Sequence, residues 1–403
     1  MLEELRVEMM ERLKRLRLSN RKGVRMSVKS NGSCVGRRVV LLLCIILGMV
    51  SQSIWARDFI SDVRLDGYIS QAAIHTSDNN FFGNSDDSIS FDYTEIELLL
   101  SAAFWRDFQF SSSILSRRAG ESDDGKVRVD HAFFTYNMYN DQEWSAGFRI
   151  GRIKNPQGFY NETRDVAFVR PGILLPQSIY LERFRDVMYS ADGFELFGQR
   201  NWELSNISLR VLLTKDEPDR EDLEELVGPI TDDISTELSG AARLLYDYDG
   251  GRLRLALSYA RLSYLVDNTS LIPAVAPPGF TLPDTEIFTE SLTLSFEYNA
   301  KSFSLVGEYL PQNNKVKNAL VYPDQDTDGL SYYLQGTYRF NSQWEAILRR
   351  SIFYYDKDDK DGQQFEQLTI LSPTLPPIPG HTRFAKTWVI GGGWRVTDSI
   401  LVR

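Results

Sequence analysis

The 403-residue chain carries 45 Lys and Arg against 55 Asp and Glu, and its two cysteines stand at Cys34 and Cys44. Its mean hydropathy is −0.29, which excludes a bundle of membrane-spanning helices, and its acidity argues against nucleic acid as a partner. Both cysteines fall in a leader that the mature chain loses, so no disulfide framework, thiolate metal site or cysteine nucleophile is expected.

Residues 1–25 form a basic amphipathic stretch with Leu5, Met9, Leu13 and Leu16 on one side. It reads either as a surface or targeting helix or as an upstream extension ahead of a start at Met26. Arg37 and Arg38 then precede the 12 apolar residues Val39–Val50, too few for a spanning helix, which needs about 20. A basic flank, a short apolar run and a polar region ending at Ala56 describe a secretory signal over 26–56, cut after Ala56 or after Ser53. That removes 11 basic and 4 acidic residues, leaving 34 and 51 over 57–403 and a formal net charge of −17.

From residue 63 the pattern has period two. Leu292, Leu294, Phe296 and Tyr298 alternate with Ser291, Thr293, Ser295 and Glu297; Leu253, Leu255, Leu257 and Tyr259 alternate with Arg252, Arg254 and Ser258. Such alternation gives a strand one apolar face. Strands are expected near 63–73, 88–104, 107–118, 125–139, 143–153, 188–199, 201–214, 237–248, 252–264, 285–299, 302–312, 329–341, 343–355, 384–396 and from 399 onward. Short turns (105–106, 140–142, 200, 249–251, 300–301, 342, 397–398) alternate with long loops (74–87, 119–124, 154–187, 215–236, 265–284, 313–328, 356–383). A soluble sandwich gives no reason for this alternation. It predicts an all-β, antiparallel transmembrane barrel in the outer membrane, with tight turns at one end and long loops at the other. Trp105, Trp144, Trp202, Trp344 and Trp394 all lie beside short turns, as an interfacial aromatic girdle requires. Fifteen runs are begun, and a closed single-chain barrel has an even count, so sixteen strands are expected in the full-length protein and 57–403 reads as C-terminally incomplete.

The connection after the fifth strand runs from Lys154 to Val187 through Asn155-Pro156-Gln157-Gly158-Phe159-Tyr160, Arg170-Pro171 and Leu175-Pro176-Gln177. It holds Phe159, Val166, Phe168, Leu174, Leu175, Ile179 and Leu181, too apolar for disorder and too long for an idle loop. Over about residues 144–200 the chain resembles Gram-negative porins of the sixteen-stranded type, with a loop similar to that of porins related to phosphate-selective ones. The resemblance implies that this loop folds into the barrel and narrows a water-filled pore for passive diffusion of small hydrophilic solutes or ions, and that the barrel forms homotrimers. Outer-membrane lipid, lipopolysaccharide and the barrel assembly machinery are its expected partners.

Candidate constriction charges are Lys154, Arg164, Arg170, Arg183 and Arg185, with Glu162, Asp165, Glu182 and Asp186. Either these pair with one another and pin the loop, or arginines face the eyelet beside the wall positions Arg117, Arg128, Arg149 and Arg254 and favour anions such as phosphate. Asp324, Asp326 and Asp328 before Gly329 match the start of a calcium loop, but Gln335 stands at position twelve, so only a partial structural calcium site is expected. No other cofactor is. His131 is the one histidine placed for hydrolytic chemistry, which makes an outer-membrane hydrolase the remote alternative. A non-conducting barrel with an adhesive or structural role is the nearer one.

Overall fold

The computed structural model describes residues 60–182, 190–215, 233–269, 279–319, 323–371 and 377–403. These form one antiparallel sheet of β1 (Ile60–Ile74), β2 (Ser90–Phe104), β3 (Phe108–Ala119), β4 (Asp124–Asn140), β5 (Trp144–Lys154), β6 (Ser190–Asn201), β7 (Ser205–Thr214), β8 (Ile234–Thr236), β9 (Ser239–Tyr248), β10 (Leu253–Val266), β11 (Thr285–Asn299), β12 (Phe303–Lys317), β13 (Gln325–Arg339), β14 (Trp344–Tyr354), β15 (Phe384–Thr397) and β16 (Ile400–Val402). Each strand pairs with the next in sequence, except that β7 pairs with β9. β8 and β9 are two segments of one strand: Thr236 opposes Tyr264 and Gly240 opposes Arg261, both on β10, with a break at 237–238. Sixteen segments therefore make fifteen passes.

The sheet is apolar on one face only. On β11, Leu294 is 48% exposed while its neighbour Thr293 is 1% exposed. Leu255, Leu257 and Tyr259 on β10 and Leu334 on β13 are exposed like Leu294, whereas Ser258, Ser295 and Gln335 are buried. The polar face points to the interior, the inverse of a soluble sandwich. The sheet also curls round until its ends approach: Ile69–Ala73 of β1 and Ser399–Arg403 line a common cavity of about 420 Å³ together with residues of the 167–173 segment. Among the described residues no helix is long and apolar enough to cross a membrane.

Short turns are built from their own side chains. Asp141 Oδ1 accepts from the N–H groups of Glu143 (2.8 Å) and Trp144 (2.7 Å), and Asn341 Oδ1 repeats this with Gln343 (2.8 Å) and Trp344 (2.9 Å), the local bond that makes Asp and Asn turn formers. Each turn thus delivers a tryptophan to the same rim. Trp105, Trp144, Trp202, Trp344 and Trp394 are all exposed there. Trp344 and Trp394 stack with centroids 5.2 Å apart, and the Arg200 guanidinium lies 4.7 Å from both the Trp144 and the Trp202 rings.

Two expectations about the long loops change. The connection expected over 313–328 is mostly strand, since β12 continues to Lys317 and β13 starts at Gln325. Polar partners extend the ladder: Lys315 opposes Asp326, Asn313 opposes Asp328, and Asn313 Nδ2 donates to both carboxylates at 3.2 and 3.1 Å. The 356–383 loop contains a helix, α1 (Gln363–Leu371), whose first N–H groups are capped by Asp359 at 3.2 Å from Gln364 and 3.0 Å from Phe365.

Replacing outward-facing Leu294 by Arg is expected to cost about 2–4 kcal/mol in denaturant unfolding from bilayers. Thr337→Arg, on the lumenal face, is expected to leave the midpoint near wild type. Equal costs at the two positions would show that the faces are assigned wrongly.

Candidate pore-constriction site

The segment after β5 turns inward as soon as the strand ends. Asn161 Nδ2 donates to Asn155 O at 2.7 Å, closing a tight turn that brings Gly158 against the opposite wall. There the Gly158 N–H donates to Ser258 Oγ on β10 (3.1 Å) and its carbonyl accepts from Arg243 on β9 (3.0 Å). The next N–H, of Phe159, donates to Glu308 Oε1 on β12 (2.9 Å). Gly158 has φ +56°, and a Cβ there would lie 2.2 Å from the Tyr180 hydroxyl and 2.6 Å from the Glu308 carboxylate. Only glycine satisfies both the backbone and the space.

Apolar groups then hold the loop down. Phe159, Leu175, Ile179 and Tyr180 pack on Ala256, Val306, Leu310 and Tyr333 of the inner wall, and Arg254 stands 4.8 Å from the Phe159 ring. Glu308, at the centre of this contact, also accepts from Ser295 Oγ (2.7 Å) and the Tyr333 hydroxyl (3.0 Å). Further round the wall, Gln335 donates to Pro171 O (2.9 Å), Arg349 to Leu174 O (3.1 Å) and Arg403 to Ala167 O (2.7 Å).

The side near β2 to β5 is held by charge. Arg170 contacts Glu95 Oε2 at 2.7 Å and donates to the Tyr93 hydroxyl at 3.2 Å. Glu95 also receives Arg117 at 3.1 Å, and Arg117 reaches Glu182, whose other oxygen takes Arg164 at 3.0 Å. Lys154 bridges Asp130 (2.6 Å) and Asp165 (2.8 Å). Glu162 pairs with Arg210 and with Arg243 (2.5 Å), and Arg149 pairs with Glu195 (2.9 Å).

Of the two readings of the loop charges, pairing is therefore what the structure shows at every described position. Lys154, Arg164 and Arg170 are buried and engaged with carboxylates of the wall (Asp130, Glu95) and of the loop itself (Asp165, Glu182), so they do not project unpaired into an eyelet. Arg149 also pairs but keeps a quarter of its side chain exposed. Arg183, Arg185 and Asp186 lie outside the described residues. Sequence reasoning missed the wall acceptors Glu95, Glu195 and Glu308. Their signal was available: each is an acidic residue at an inward-facing position of a strand whose other inward residues are mostly small or uncharged.

The remaining candidates separate. Asp326 and Asp328 lie on β13 and are engaged by Lys315 (3.5 Å) and Lys357 (2.7 Å), while Asp324 accepts from the Asn318 N–H (2.8 Å). No group of three or more His, Cys, Asp or Glu suited to a metal occurs among the described residues. His131 Nε2 lies 3.2 Å from Ser111 Oγ, but its Nδ1 is 3.9 Å from Asp130, whose carboxylate is engaged by Lys154. A hydrolase would need that orienting bond to be made.

Two substitutions test the anchoring. Gly158→Ala is expected to cost about 1–3 kcal/mol in chemical unfolding, against little change for Gly198→Ala, where a Cβ meets nothing within 4 Å; equal effects would show that the inward turn is not tightly seated. Glu95→Ala strands two buried cations and is expected to cost about 3–5 kcal/mol and to open Arg164 and Arg170 to trypsin, whereas Glu95→Leu combined with Arg117→Leu and Arg170→Met is expected to recover most of the stability. Trypsin resistance unchanged in Glu95→Ala would contradict the ion-pair anchor.

No family model and no curated protein matches the chain. Among solved structures it is similar to the anion-selective porin from Comamonas acidovorans, at 13% identity over 84% of this chain and 85% of that one, with a TM-score of 0.49. It is similar to the outer membrane channel DcaP of Acinetobacter baumannii at 12% identity over 84% and 87%, with a TM-score of 0.45. It is similar also to OmpT, an outer membrane protein of Vibrio cholerae, at 12% identity over 73% and 88%, with a TM-score of 0.38.

Proposed function

We propose that this chain is an outer-membrane porin, not an enzyme, through which small hydrophilic solutes diffuse passively, with a preference for anions such as phosphate or sulfate. The observation that carries the reading is the space left on the short-turn side of the loop. It is a cavity of about 510 Å³ whose lining includes Arg254, Arg339, Arg395 and Arg403 but only two carboxylates, Glu297 and Glu345; Arg170 also borders it but is spent on Glu95 (2.7 Å). Arg254 is paired with Glu297 (2.7 Å) and Arg403 lies 4.0 Å from Glu345. Arg339 donates to Ser304 Oγ and Ala300 O, and among the described residues no carboxylate pairs with it or with Arg395. The local balance is basic in a strongly acidic protein, and fixed charge lining a pore sets its ion preference. An apolar outer face rimmed by tryptophan fits a bilayer as surroundings. Lipopolysaccharide, the barrel assembly machinery and two further copies of the chain are the partners this reading calls for.

The loop bonds to strands from β2 to β14, and that breadth of contact favours the second reading, a sealed barrel with an adhesive or structural role. Planar-bilayer recording under a roughly tenfold KCl gradient decides. Ohmic conductance with a chloride-selective reversal potential is expected, and Arg339→Glu with Arg395→Glu is expected to move that potential toward the cation side. A cation-selective wild type would end the anion reading; absence of conductance would leave the sealed barrel.

A further inference from the structure

The loop divides the lumen into two unlike halves. On the long-loop side, opposite the arginine-lined cavity, a smaller cavity of about 100 Å³ lies between the loop and β10 to β12. It sits between two buried apolar clusters, one containing Ile179 and Leu310 and the other Tyr264, Ile287 and Val316. Where the loop lands, it covers the apolar residues of the inner wall, Ala256, Val306 and Tyr333; the cluster of Tyr264, Ile287 and Val316 contains no loop residue and borders the cavity instead. With Leu310 beside them, these residues give the cavity an apolar wall across three adjacent strands.

Two polar groups in this lining have no bond partner: Ser178 Oγ and Asn314 Nδ2. Ser178 is 5% and Asn314 8% exposed. The Asn314 carbonyl oxygen is already used, accepting from Thr289 Oγ1 at 3.1 Å, so its free valence is a donor. A buried donor left without an acceptor costs about 1–3 kcal/mol, and native structures rarely tolerate one without a ligand or water to meet it. Apolar walls with a few converging polar groups are the usual composition of a small-molecule site.

We propose that this cavity binds the apolar body of a small amphipathic carboxylate, a single ring or a branched alkyl chain, with its oxygen accepting from Asn314 Nδ2 and Ser178 Oγ. At about 100 Å³ the cavity is smaller than the apolar cavity of about 150 Å³ that holds benzene, so it takes part of the ring or alkyl body while the carboxylate lies at its mouth. The inference deepens the porin reading: a solute bound at the long-loop side would pass the constriction and meet the arginines beyond it, which attract the same carboxylate. The site would select organic acids over inorganic ions.

Benzoate is the probe, acetate the control. Equilibrium dialysis of radiolabelled benzoate against the folded full chain in detergent is expected to show one saturable site per chain, with acetate displacing it poorly. Asn314→Ala is expected to weaken binding about fivefold or more, and Val316→Trp, which fills the cavity, to abolish it, each barrel being confirmed as folded by its heat-modifiable gel mobility. In bilayers, benzoate is expected to block KCl current saturably and Asn314→Ala to raise the half-blocking concentration by the same factor. Non-saturable binding, or affinity unchanged in both variants, would overturn the site. Because dialysis needs no conductance, saturable binding by a non-conducting protein would sink the porin reading and keep the site; conductance without binding would do the reverse.

Discussion

Charges placed inside a barrel must be matched, and in this protein the matching is done between a loop and the wall that surrounds it. Glu95 receives Arg117 from its neighbouring strand and Arg170 from the loop; Glu182 of the loop receives Arg117 from the wall and Arg164 from the loop. Removing one member of such a buried set costs about 3–5 kcal/mol because its partners remain buried and uncompensated. The set therefore fixes the loop in one place without adding much net stability. Across the lumen the same segment is held by Glu308, whose carboxylate gathers the Phe159 N–H, Ser295 and Tyr333. With both sides tied, the segment is a crosspiece.

This crosspiece gives the lumen its polarity. Its apolar underside, Phe159 with Leu175, Ile179 and Tyr180, is buried against β10 to β13, a contact that would be lost if the loop stood out in water. On one side lie arginines in excess over carboxylates; on the other lie Ile287, Leu310 and Val316 with donors that no protein group meets. A permeating solute would meet first an apolar surface with hydrogen-bond donors, then a constriction, then positive charge. That order suits a small organic anion better than a sugar or a metal cation.

The wall was legible in the sequence because a lipid-facing strand has to alternate strictly. The expected 285–299 strand is the observed one, and the expected 384–396 differs by one residue at its end. Period two also told inside from outside correctly for Leu294 and Thr293. What failed were places where the alternation carries no hydrophobic signal. The pairing of Asn313–Lys317 with Gln325–Asp328 is polar except at Val316, so it looked like a loop. The loop itself was found by length and apolar content, but the pairing of its charges was not decidable from spacing, because Arg170 meets Glu95, 75 residues before it, and Glu162 meets Arg210 and Arg243 on strands well beyond the loop. The unpartnered donors Ser178 and Asn314 gave no sequence signal at all, since an amide on a lumenal face is ordinary until its neighbours prove to be apolar.

The most direct test of a loop tied across the lumen is polymer exclusion. Single-channel conductance is recorded in poly(ethylene glycol)s of graded size, for wild type and for a chain in which residues 159–181 are replaced by a short Gly-Ser linker. A crosspiece predicts that the linker variant admits distinctly larger polymers and conducts several-fold more current, as widening a constriction requires. The same exclusion size and current in both proteins would contradict it, because the narrowest point would then lie elsewhere.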